Sequence, residues 1–241
     1  MSNIAAFFDI DGTIARESLM IEHFKRLIKY EILDESIWVD DVKHLYMEYV
    51  NRYGAYDAYI EALSEKYRSD LKGFDIRYNK FVAEQSISKV FKRVYVFSRK
   101  QLEFHKANGH LIFFISGSPD FLVKEMAEKY DVTEFRATKY LYDEDGKFTG
   151  EIVPMWHSEA KDKVCSEIIE KYNIDIENSY AYGDTTGDLS MLKKFGNAYT
   201  INPSKRLLEK IRNDEELSKK VNIIVERKDV IYKLKSDVIT L

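Results

Sequence analysis

The sequence predicts an α/β protein with a Rossmann-like parallel sheet, helices on both faces and an all-helical domain inserted after the first strand. Two observations lead to this prediction. Short apolar runs typical of buried strands alternate with helical patterns from about residue 110 onward. A long stretch with helical spacing and no strand signal separates this region from the first strand. We therefore expect a core formed by 1–14 and 91–241, and a helical cap at 15–90.

Size and composition limit the possible classes of protein. The chain has 241 residues, which is enough for one large domain with an insertion, and its composition of 45% apolar and 32% charged residues is typical of globular proteins. The formal net charge of -4 provides no positive field for nucleic acid or an acidic membrane, so we expect neither as a partner.

The single cysteine and the start of the chain predict a cytoplasmic protein. Cys165 alone cannot form an internal disulfide, which suits a reducing compartment. The first apolar run ends at Asp9, so it is too short for a signal peptide or a membrane span.

The first strand is predicted at Ile4 to Phe8, where an apolar run stops at two carboxylates and a glycine. These are Asp9, Asp11 and Gly12. Two buried carboxylates this close repel each other, so we expect a positive group beside them.

The predicted cap begins after this strand. Apolar residues recur at helical spacing through 15–90, and Gly54 and Gly73 are the expected breaks between helices. The region is rich in tyrosine. Half-buried amphipathic faces account for these tyrosines, and the alternative is that some of them line a substrate pocket.

Two further strands also end in polar residues. The run from Leu111 to Ile115 stops at Ser116-Gly117-Ser118 before a helix that reaches about Tyr130, and either serine could cap that helix. The run at 179–182 stops at Gly183-Asp184, with Asp188 following shortly after. Between these strands we expect a hairpin (135–141 and 147–153) and a helix (160–172).

The remaining elements continue the alternation. We expect a helix that ends near Phe195, a strand at 198–201, a helix after Pro203 and an apolar segment at 221–225. The final dozen residues carry no clear signal.

The carboxyl ends of parallel strands lie along one edge of a sheet, so Asp9, Asp11, Ser116, Asp184 and Asp188 are expected to converge there. Carboxylates without soft ligands select a hard cation, and this set favours magnesium over zinc. The sequence therefore predicts a Mg²⁺ site that receives a phosphate group.

The first two carboxylates suit a two-step phosphoryl transfer. Asp9 is the predicted nucleophile, because a carboxylate can form an acyl phosphate. Asp11 faces the same side two residues later and is the predicted general acid and base. Gly12 allows backbone amides to approach the phosphate, and the turns near Thr13 and after Ser116, which include Gly117, offer further N–H donors.

A lysine is needed to balance the phosphate charge, and both Lys161 and Lys163 lie near the start of the helix at 160–172. Two residues apart, they point to nearly opposite sides of a helix. Lys161 lies nearer the amino end, where the pocket is expected, so we predict that it contacts the phosphate.

These residues, in this order, resemble the four motifs of the haloacid dehalogenase superfamily. Asp9-Ile10-Asp11-Gly12-Thr13 looks like the first motif, and Ser116 and Lys161 resemble the second and third. Gly183-Asp184 with Asp188 is similar to the fourth. The helical insertion after the first motif, together with the later hairpin, resembles the phosphoserine-phosphatase-like branch, subfamily IB.

The resemblance implies roles for these positions. It implies that Asp9, the backbone carbonyl of Asp11 and Asp184 hold Mg²⁺, and that Ser116 and Lys161 bind phosphate. It also implies that Asp188 supports either the metal-bound water or Lys161.

The sequence departs from the phosphoserine phosphatases at two points. Those enzymes carry a glutamate shortly after the first motif, which binds the amino group of the substrate. A straight count places this position at Ser18 in the present sequence, with Glu17 one residue earlier. Gly187 stands where those enzymes usually carry asparagine. Arg16, Glu17 and Ser18, at the junction of core and cap, are the candidate specificity residues.

The predicted function is hydrolysis of a small phosphorylated metabolite by a magnesium-dependent phosphatase, through an aspartyl-phosphate intermediate. One alternative is a phosphotransferase that passes the phosphoryl group to an alcohol or sugar. Another is a phosphometabolite sensor without turnover, against which the intact pair Asp9 and Asp11 argues. The side chains of His23, His105, His157 and Cys165 are predicted to be structural.

Overall fold

The computed structural model describes residues 2–239, with every side chain in that range except that of Asp57. One sheet of eight strands runs through the protein in the order β4-β3-β2-β1-β5-β6-β7-β8. Strands β4 and β8 pair antiparallel at the two edges, and all other neighbours are parallel. The strands are β1 (Ala5–Phe8), β2 (Leu111–Pro119), β3 (Glu134–Tyr142), β4 (Phe148–Val153), β5 (Tyr180–Gly183), β6 (Asn197–Ile201), β7 (Asn222–Arg227) and β8 (Val230–Leu234).

Ten α-helices are present among the described residues. They are α1 (Leu19–Lys29), α2 (Lys43–Val50), α3 (Tyr56–Asp70), α4 (Ile76–Val90), α5 (Val96–Ala107), α6 (Asp120–Tyr130), α7 (Ser158–Tyr172), α8 (Leu189–Lys194), α9 (Lys205–Arg212) and α10 (Glu215–Lys220). A π-helical segment, Ile37–Val42, precedes α2, and a 3₁₀ turn, Thr186–Asp188, precedes α8. None of the described helices is long and apolar enough to cross a lipid bilayer.

The central strand β1 is buried on both faces, as its sequence predicts. Successive side chains of a strand point to opposite faces. Phe7 stacks on Phe113 and Phe195 on one face, and Phe8 stacks on Tyr182 on the other. Helices α4, α5 and α6 contribute to the apolar cluster around Phe8, and helices α7, α8 and α9 to the cluster around Phe7. The predicted Rossmann-like fold is therefore confirmed.

A third apolar cluster joins the helical region to an edge of the sheet. Its buried residues come from α1, α3 and α4, but also from β3 and β4, which contribute Tyr140 and Phe148. Backbone hydrogen bonds strengthen this contact: the Gly73 amide donates to the Phe148 carbonyl at 2.7 Å, and the Phe148 amide donates to the Phe74 carbonyl at 3.0 Å. The β3–β4 hairpin is thus part of the surface on which the inserted helices pack.

Several predicted boundaries differ from the structure. Strand β2 continues beyond Ile115 to Pro119, because the chain stays extended through the serines. Helix α4 ends at Val90, the predicted end of the helical region, and residues 91–95 lead back to the core before α5 begins. Two helices, not one, follow Pro203, and strand β8 occupies the start of the final segment that carried no signal. The side chains of β8 are largely exposed, so apolar periodicity could not reveal it.

Candidate active site

The catalytic candidates lie where three neighbouring strands end. Asp9 follows β1, Ser116 lies in the second half of β2, and Asp184 follows β5. Because β1 pairs with both β2 and β5 in parallel, these three carboxyl ends lie side by side.

Lys161 is the centre of the charged cluster. Its ammonium lies 2.7 Å from Asp9 Oδ1 and 2.6 Å from Asp188 Oδ1, and all three side chains are buried. Burial disfavours the ammonium, but the charges of Asp188 and Asp9 raise the pKa of Lys161 above its ordinary value. The lysine therefore stays charged, and its first-turn position on α7 directs it to the strand ends.

Asp184 and Asp188 are held by the loop after β5. Asp188 Oδ2 accepts hydrogen bonds from the backbone amides of Asp184 and Thr185, both at 3.0 Å. Asp184 Oδ1 accepts a hydrogen bond from the Thr13 hydroxyl at 3.1 Å. The loop after β1 is thereby tied to the loop after β5, and both carboxylates point toward Asp9.

The arrangement of carboxylates fits a hard divalent cation. Asp9, Asp184 and Asp188 each offer an oxygen, and these oxygens lie within 4.8 Å of one another. Burial raises the pKa of Asp9 to about 8 despite the nearby Lys161, and burial together with the charges of Asp9 and Asp188 raises the pKa of Asp184. One ammonium does not balance three carboxylates, and an oxygen-only ligand set with this deficit of positive charge suits Mg²⁺.

The side chain of Asp11 points away from this group. Asp11 Oδ1 accepts a hydrogen bond from the Leu19 amide at 2.6 Å, and Oδ2 accepts one from the Ser118 hydroxyl at 2.5 Å. Burial raises the pKa of Asp11, whereas these hydrogen bonds act in the opposite direction. The prediction that Asp11 holds metal concerns its backbone carbonyl, whereas its side chain is bound by Leu19 and Ser118.

Glycines allow the loops to approach one another closely. Gly12 has φ +79°, and a Cβ at this position would lie 2.1 Å from Asp184 Oδ2. At Gly187 a Cβ would lie 2.5 Å from the carbonyl oxygen of Trp156. The departure from asparagine at Gly187 therefore has a steric reason in this chain, since the segment before α7 crosses directly over it.

The predicted phosphate-binding residues lie in the same strand ends and loops as the carboxylates. Ser116 is fully buried, and its hydroxyl oxygen accepts a hydrogen bond from the Ser118 amide at 3.1 Å. Thr13 is fully buried between the β1 and β5 loops, and the Gly117 carbonyl accepts a hydrogen bond from Thr138. Neither serine caps α6, whose N-cap position is Pro119, so that alternative is wrong.

The three candidate specificity residues have different surroundings. Arg16 turns toward the core, where its guanidinium contacts Glu226 Oε1 at 2.5 Å. Glu17 is half-exposed and lies 3.6 Å from Lys25. Ser18 is buried, and its hydroxyl is among the groups that lower the pKa of Asp11. The structure therefore does not gather these three side chains at one point.

Sequence reasoning missed two contributors at this site. The sequence suggests Ser118 only as a possible helix cap, although its hydroxyl donates a hydrogen bond to Asp11. Glu226, near the end of β7, accepts hydrogen bonds from the Val96 and Phe97 amides, both at 3.0 Å, as well as from Arg16. No sequence motif marks Glu226, since only the fold brings it next to the junction between the helical insertion and the core.

A family comparison decides the class of this protein. The model of the haloacid dehalogenase-like hydrolases matches residues 6–193. The chain belongs to this family. The predicted family and the predicted hydrolase class are therefore confirmed.

This haloacid dehalogenase-like hydrolase is similar to individual proteins both in sequence and in fold. A probable phosphatase of Mycobacterium tuberculosis is 25% identical over 205 residues, which cover 84% of this chain and 70% of the relative. A Bordetella pertussis structure of unknown function covers 88% of this chain and 96% of that one, with TM-score 0.70 and 19% identity. The structure of a phospho-aspartyl intermediate analogue of phosphoserine phosphatase aligns with 95% of this chain. The alignment covers 96% of that structure's chain, with TM-score 0.60 and 21% identity. The predicted likeness to the phosphoserine phosphatases holds at the level of the fold.

Proposed function

We propose that this chain is a magnesium-dependent phosphatase that hydrolyses a small phosphate monoester through an aspartyl phosphate on Asp9. The observation that carries the proposal is the buried Lys161 ammonium between Asp9 and Asp188, with Asp184 beside them. Such a cluster places a carboxylate nucleophile beside a cation that can bind the phosphate, and its remaining carboxylates can hold a metal ion. The relative named as a probable phosphatase supports the same class of reaction.

In the first step, a carboxylate oxygen of Asp9 attacks phosphorus and forms the acyl phosphate bond. The bond between phosphorus and the ester oxygen breaks, and Asp11 donates its proton to the departing alkoxide. The raised pKa of Asp11 supports this role, because a buried carboxyl group retains a proton more readily.

In the second step, Asp11 accepts a proton from water as the water oxygen attacks phosphorus. The bond between phosphorus and Asp9 breaks, which releases inorganic phosphate and restores the carboxylate. The hydrogen bonds from Leu19 and Ser118 hold the Asp11 carboxylate in position between the two proton transfers.

Magnesium and lysine share the charge of the phosphate in this proposal. Asp9, Asp184 and the backbone carbonyl of Asp11 would hold Mg²⁺, which when bound supplies positive charge for the phosphoryl oxygens. Lys161 binds another phosphoryl oxygen, and Asp188 keeps its ammonium oriented. Ser116, Gly117 and the turn at Gly12 and Thr13 provide the remaining donors.

The test is phosphate release from a panel of small phosphate monoesters, with Mg²⁺ or with EDTA. We expect turnover by the wild type only with Mg²⁺, and no turnover by Asp9→Asn, which keeps the shape but loses the nucleophile. The matched control is Asp229→Asn, a substitution at an exposed carboxylate far along the chain. Equal turnover by Asp9→Asn and the wild type would refute the proposal. Transfer to an added alcohol without phosphate release would favour a phosphotransferase instead.

A further inference from the structure

An open groove lies where the helical insertion joins the core, and we call it the junction groove. Its volume is about 400 Å³, which is enough for a small molecule. Among the described residues, its lining includes none of those proposed for catalysis or metal binding. The walls come from the segment after β1, from α1, and from the chain between the end of α4 and the first turn of α5. The charged side chains of the lining are Arg16, Glu17, Glu22, Lys92, Arg93 and Arg99.

Backbone hydrogen bonds place two of the arginines next to each other. The Arg16 amide donates to the Arg93 carbonyl at 3.3 Å, and the Tyr95 amide donates to the Ile14 carbonyl at 2.9 Å. The segment that enters the helical insertion therefore pairs with the segment that leaves it. Arg99 follows in the first turn of α5, so the groove collects cationic side chains from both crossing segments and from a helix of the core.

The two carboxylates of the groove already have cationic partners in the helical insertion. Glu22 is buried, and its oxygens lie 2.6 Å from the Lys89 ammonium and 3.4 Å from that of Lys25. The Lys25 ammonium is also 3.6 Å from a Glu17 oxygen. Because these lysines compensate Glu17 and Glu22, the two carboxylates do not neutralise the arginines of the groove.

Three cationic side chains of the groove lack such a partner. Lys92, Arg93 and Arg99 are exposed, and none of them forms an ion pair with another of residues 2–239. Arg16 is bound to Glu226, but its side chain remains 44% exposed. Like charges around a concave surface focus a positive potential, which raises the local concentration of anions.

A second cavity of about 360 Å³ continues the junction groove along α5. Lys92 and Arg99 line both cavities, so their side chains stand between the two. The second cavity adds the cationic Lys106 and one carboxylate, Glu103. The cationic side chains thus extend from one cavity into the next, which suits a ligand with several anionic groups better than a single phosphate.

We propose that the junction groove binds a small molecule with two or more adjacent phosphate groups. Arg93 and Arg99 bind its phosphates, because a guanidinium forms paired hydrogen bonds with phosphate oxygens, and Lys92 adds a third charge between the cavities. A ligand held in this way joins the crossing segments to α5 and restricts movement of the helical insertion relative to the core. The site is separate from the proposed active site, so the inference does not depend on the phosphatase function.

Calorimetry with inorganic tripolyphosphate in the presence of EDTA tests the inference. EDTA removes divalent metal ions, which bind tripolyphosphate themselves and could draw it to the carboxylates at the strand ends. We expect saturable binding that is at least ~10-fold tighter than the binding of inorganic phosphate, because a single phosphate reaches fewer of the cations. No binding, or equal affinity for the two anions, would overturn the inference.

Variants at exposed positions show whether the groove carries this binding. Arg93→Gln and Arg99→Gln should each weaken the affinity for tripolyphosphate by about 10-fold, as expected when a hydrogen bond to a charged group is lost. Lys100→Gln is the matched control, since Lys100 is an exposed neighbour of Arg99 on α5 and lines neither cavity. An equal loss in Lys100→Gln and Arg99→Gln would indicate unspecific attraction, and no loss in either arginine variant would indicate binding elsewhere. Either result would refute the junction groove as the site.

Amide hydrogen exchange locates the bound anion independently. Tripolyphosphate should slow exchange at residues 91–99 in the wild type and equally in Asp9→Asn, because Asp9 is not part of the groove. Slower exchange confined to residues 9–13 and 183–188 would place the anion at the carboxylates instead and contradict the inference.

Discussion

At the scale of single residues, Lys161 supplies the positive charge that compensates the buried carboxylates of the active site. It is buried between Asp9 and Asp188, and a third carboxylate, Asp184, lies close by. Removing one partner from a buried ionic cluster leaves an uncompensated charge, which usually costs more than the pair contributes. The lysine therefore has a structural effect in addition to its proposed contact with phosphate.

Replacement of Lys161 by methionine should reduce both activity and stability. We expect kcat to fall by at least ~10²-fold, because a cationic contact to the transferring group is lost. The free energy of unfolding should fall by about 3 kcal/mol, since Asp188 would remain buried without its partner. Steady-state kinetics and urea unfolding measure the two effects. Lys163→Met is the matched control at an exposed position of the same helix, and full activity in Lys161→Met would contradict the account.

A second prediction at this scale concerns Gly12. Gly12 and Gly73 have nearly the same φ, +79° and +82°, but a Cβ at Gly73 would have no atom within 4 Å. Alanine at either position should cost about 1 kcal/mol of stability through backbone strain, and Gly12→Ala should cost more because its Cβ also meets the Asp184 carboxylate. Only Gly12→Ala should also abolish turnover, because its methyl group displaces Asp184. Thermal unfolding and phosphate release distinguish the two effects, and an active Gly12→Ala would disprove the close approach of the loops.

At the scale of elements, Glu226 fastens the junction between the inserted helices and the core. Its buried carboxylate binds the Arg16 side chain from the segment after β1, and it accepts hydrogen bonds from the first amides of α5. A carboxylate at a helix N-terminus also interacts favourably with the helix dipole. Strand β7 thereby holds both chain segments that pass between the two regions.

Replacing the Glu226 carboxylate by a neutral amide should weaken the junction between the inserted helices and the core. Glu226→Gln replaces one acceptor oxygen by a donor, so we expect a loss of about 2 kcal/mol in the free energy of unfolding. Amide hydrogen exchange should become faster at residues 14–18 and 93–97. Glu167→Gln, at an exposed position of α7, serves as control. Unchanged exchange at the junction would show that Glu226 does not fasten it.

His105 of α5 and His110, which follows this helix, pack against Tyr180 of β5. His105 and His110 are joined through their Nδ1 atoms at 2.9 Å, and His105 Nε2 lies 2.9 Å from the Tyr182 hydroxyl. Because Tyr182 donates to Gln101, its oxygen accepts from His105 Nε2, and His110 must donate to His105 Nδ1. Both ring nitrogens of neutral His105 are therefore used, which agrees with its predicted structural role.

This histidine makes stability depend on pH. Burial and the neighbouring His110 lower the pKa of His105 to about 3, below the value of about 6.5 in an unfolded chain. Between these two pKa values the unfolded state binds one proton more than the folded state. The stabilisation that comes from neutral His105 is therefore complete above pH 6.5 and is lost as the pH falls toward 3. In His105→Gln, the slope of unfolding free energy against pH should decrease by about 1.4 kcal/mol per unit near pH 5. Urea unfolding from pH 4.5 to 7 measures this slope, and an unchanged slope would contradict the assignment.

At the scale of the whole molecule, we propose that residues 15–90 form a cap above the core and that the β3–β4 hairpin supports it. The backbone bonds of Phe148 with Gly73 and Phe74 join the hairpin to the helices. Tyr140 and Phe148 share the apolar cluster of α1 and α3. A cap motion of the kind that gates many enzymes would have to carry this hairpin along or break these contacts.

The sequence was most informative where chemistry and local structure coincide. Asp9, Ser116 and Asp184 were found because each lies at or next to a buried strand whose apolar run is easily recognised. Glu226 could not be found this way, because its contacts join residues far apart in the chain. Strand β8 was missed because an exposed edge strand lacks the apolar alternation that identifies strands.

The central claim is that Asp9 becomes phosphorylated, and chemical trapping tests it most directly. Borohydride reduces an acyl phosphate to an alcohol, so an aspartyl phosphate becomes homoserine, which mass spectrometry of peptides can locate. We expect homoserine at position 9 only when Mg²⁺ and a hydrolysed phosphate monoester are both present, and none in Asp9→Asn. Phosphate release without homoserine at position 9, or with homoserine at another carboxylate, would contradict the account.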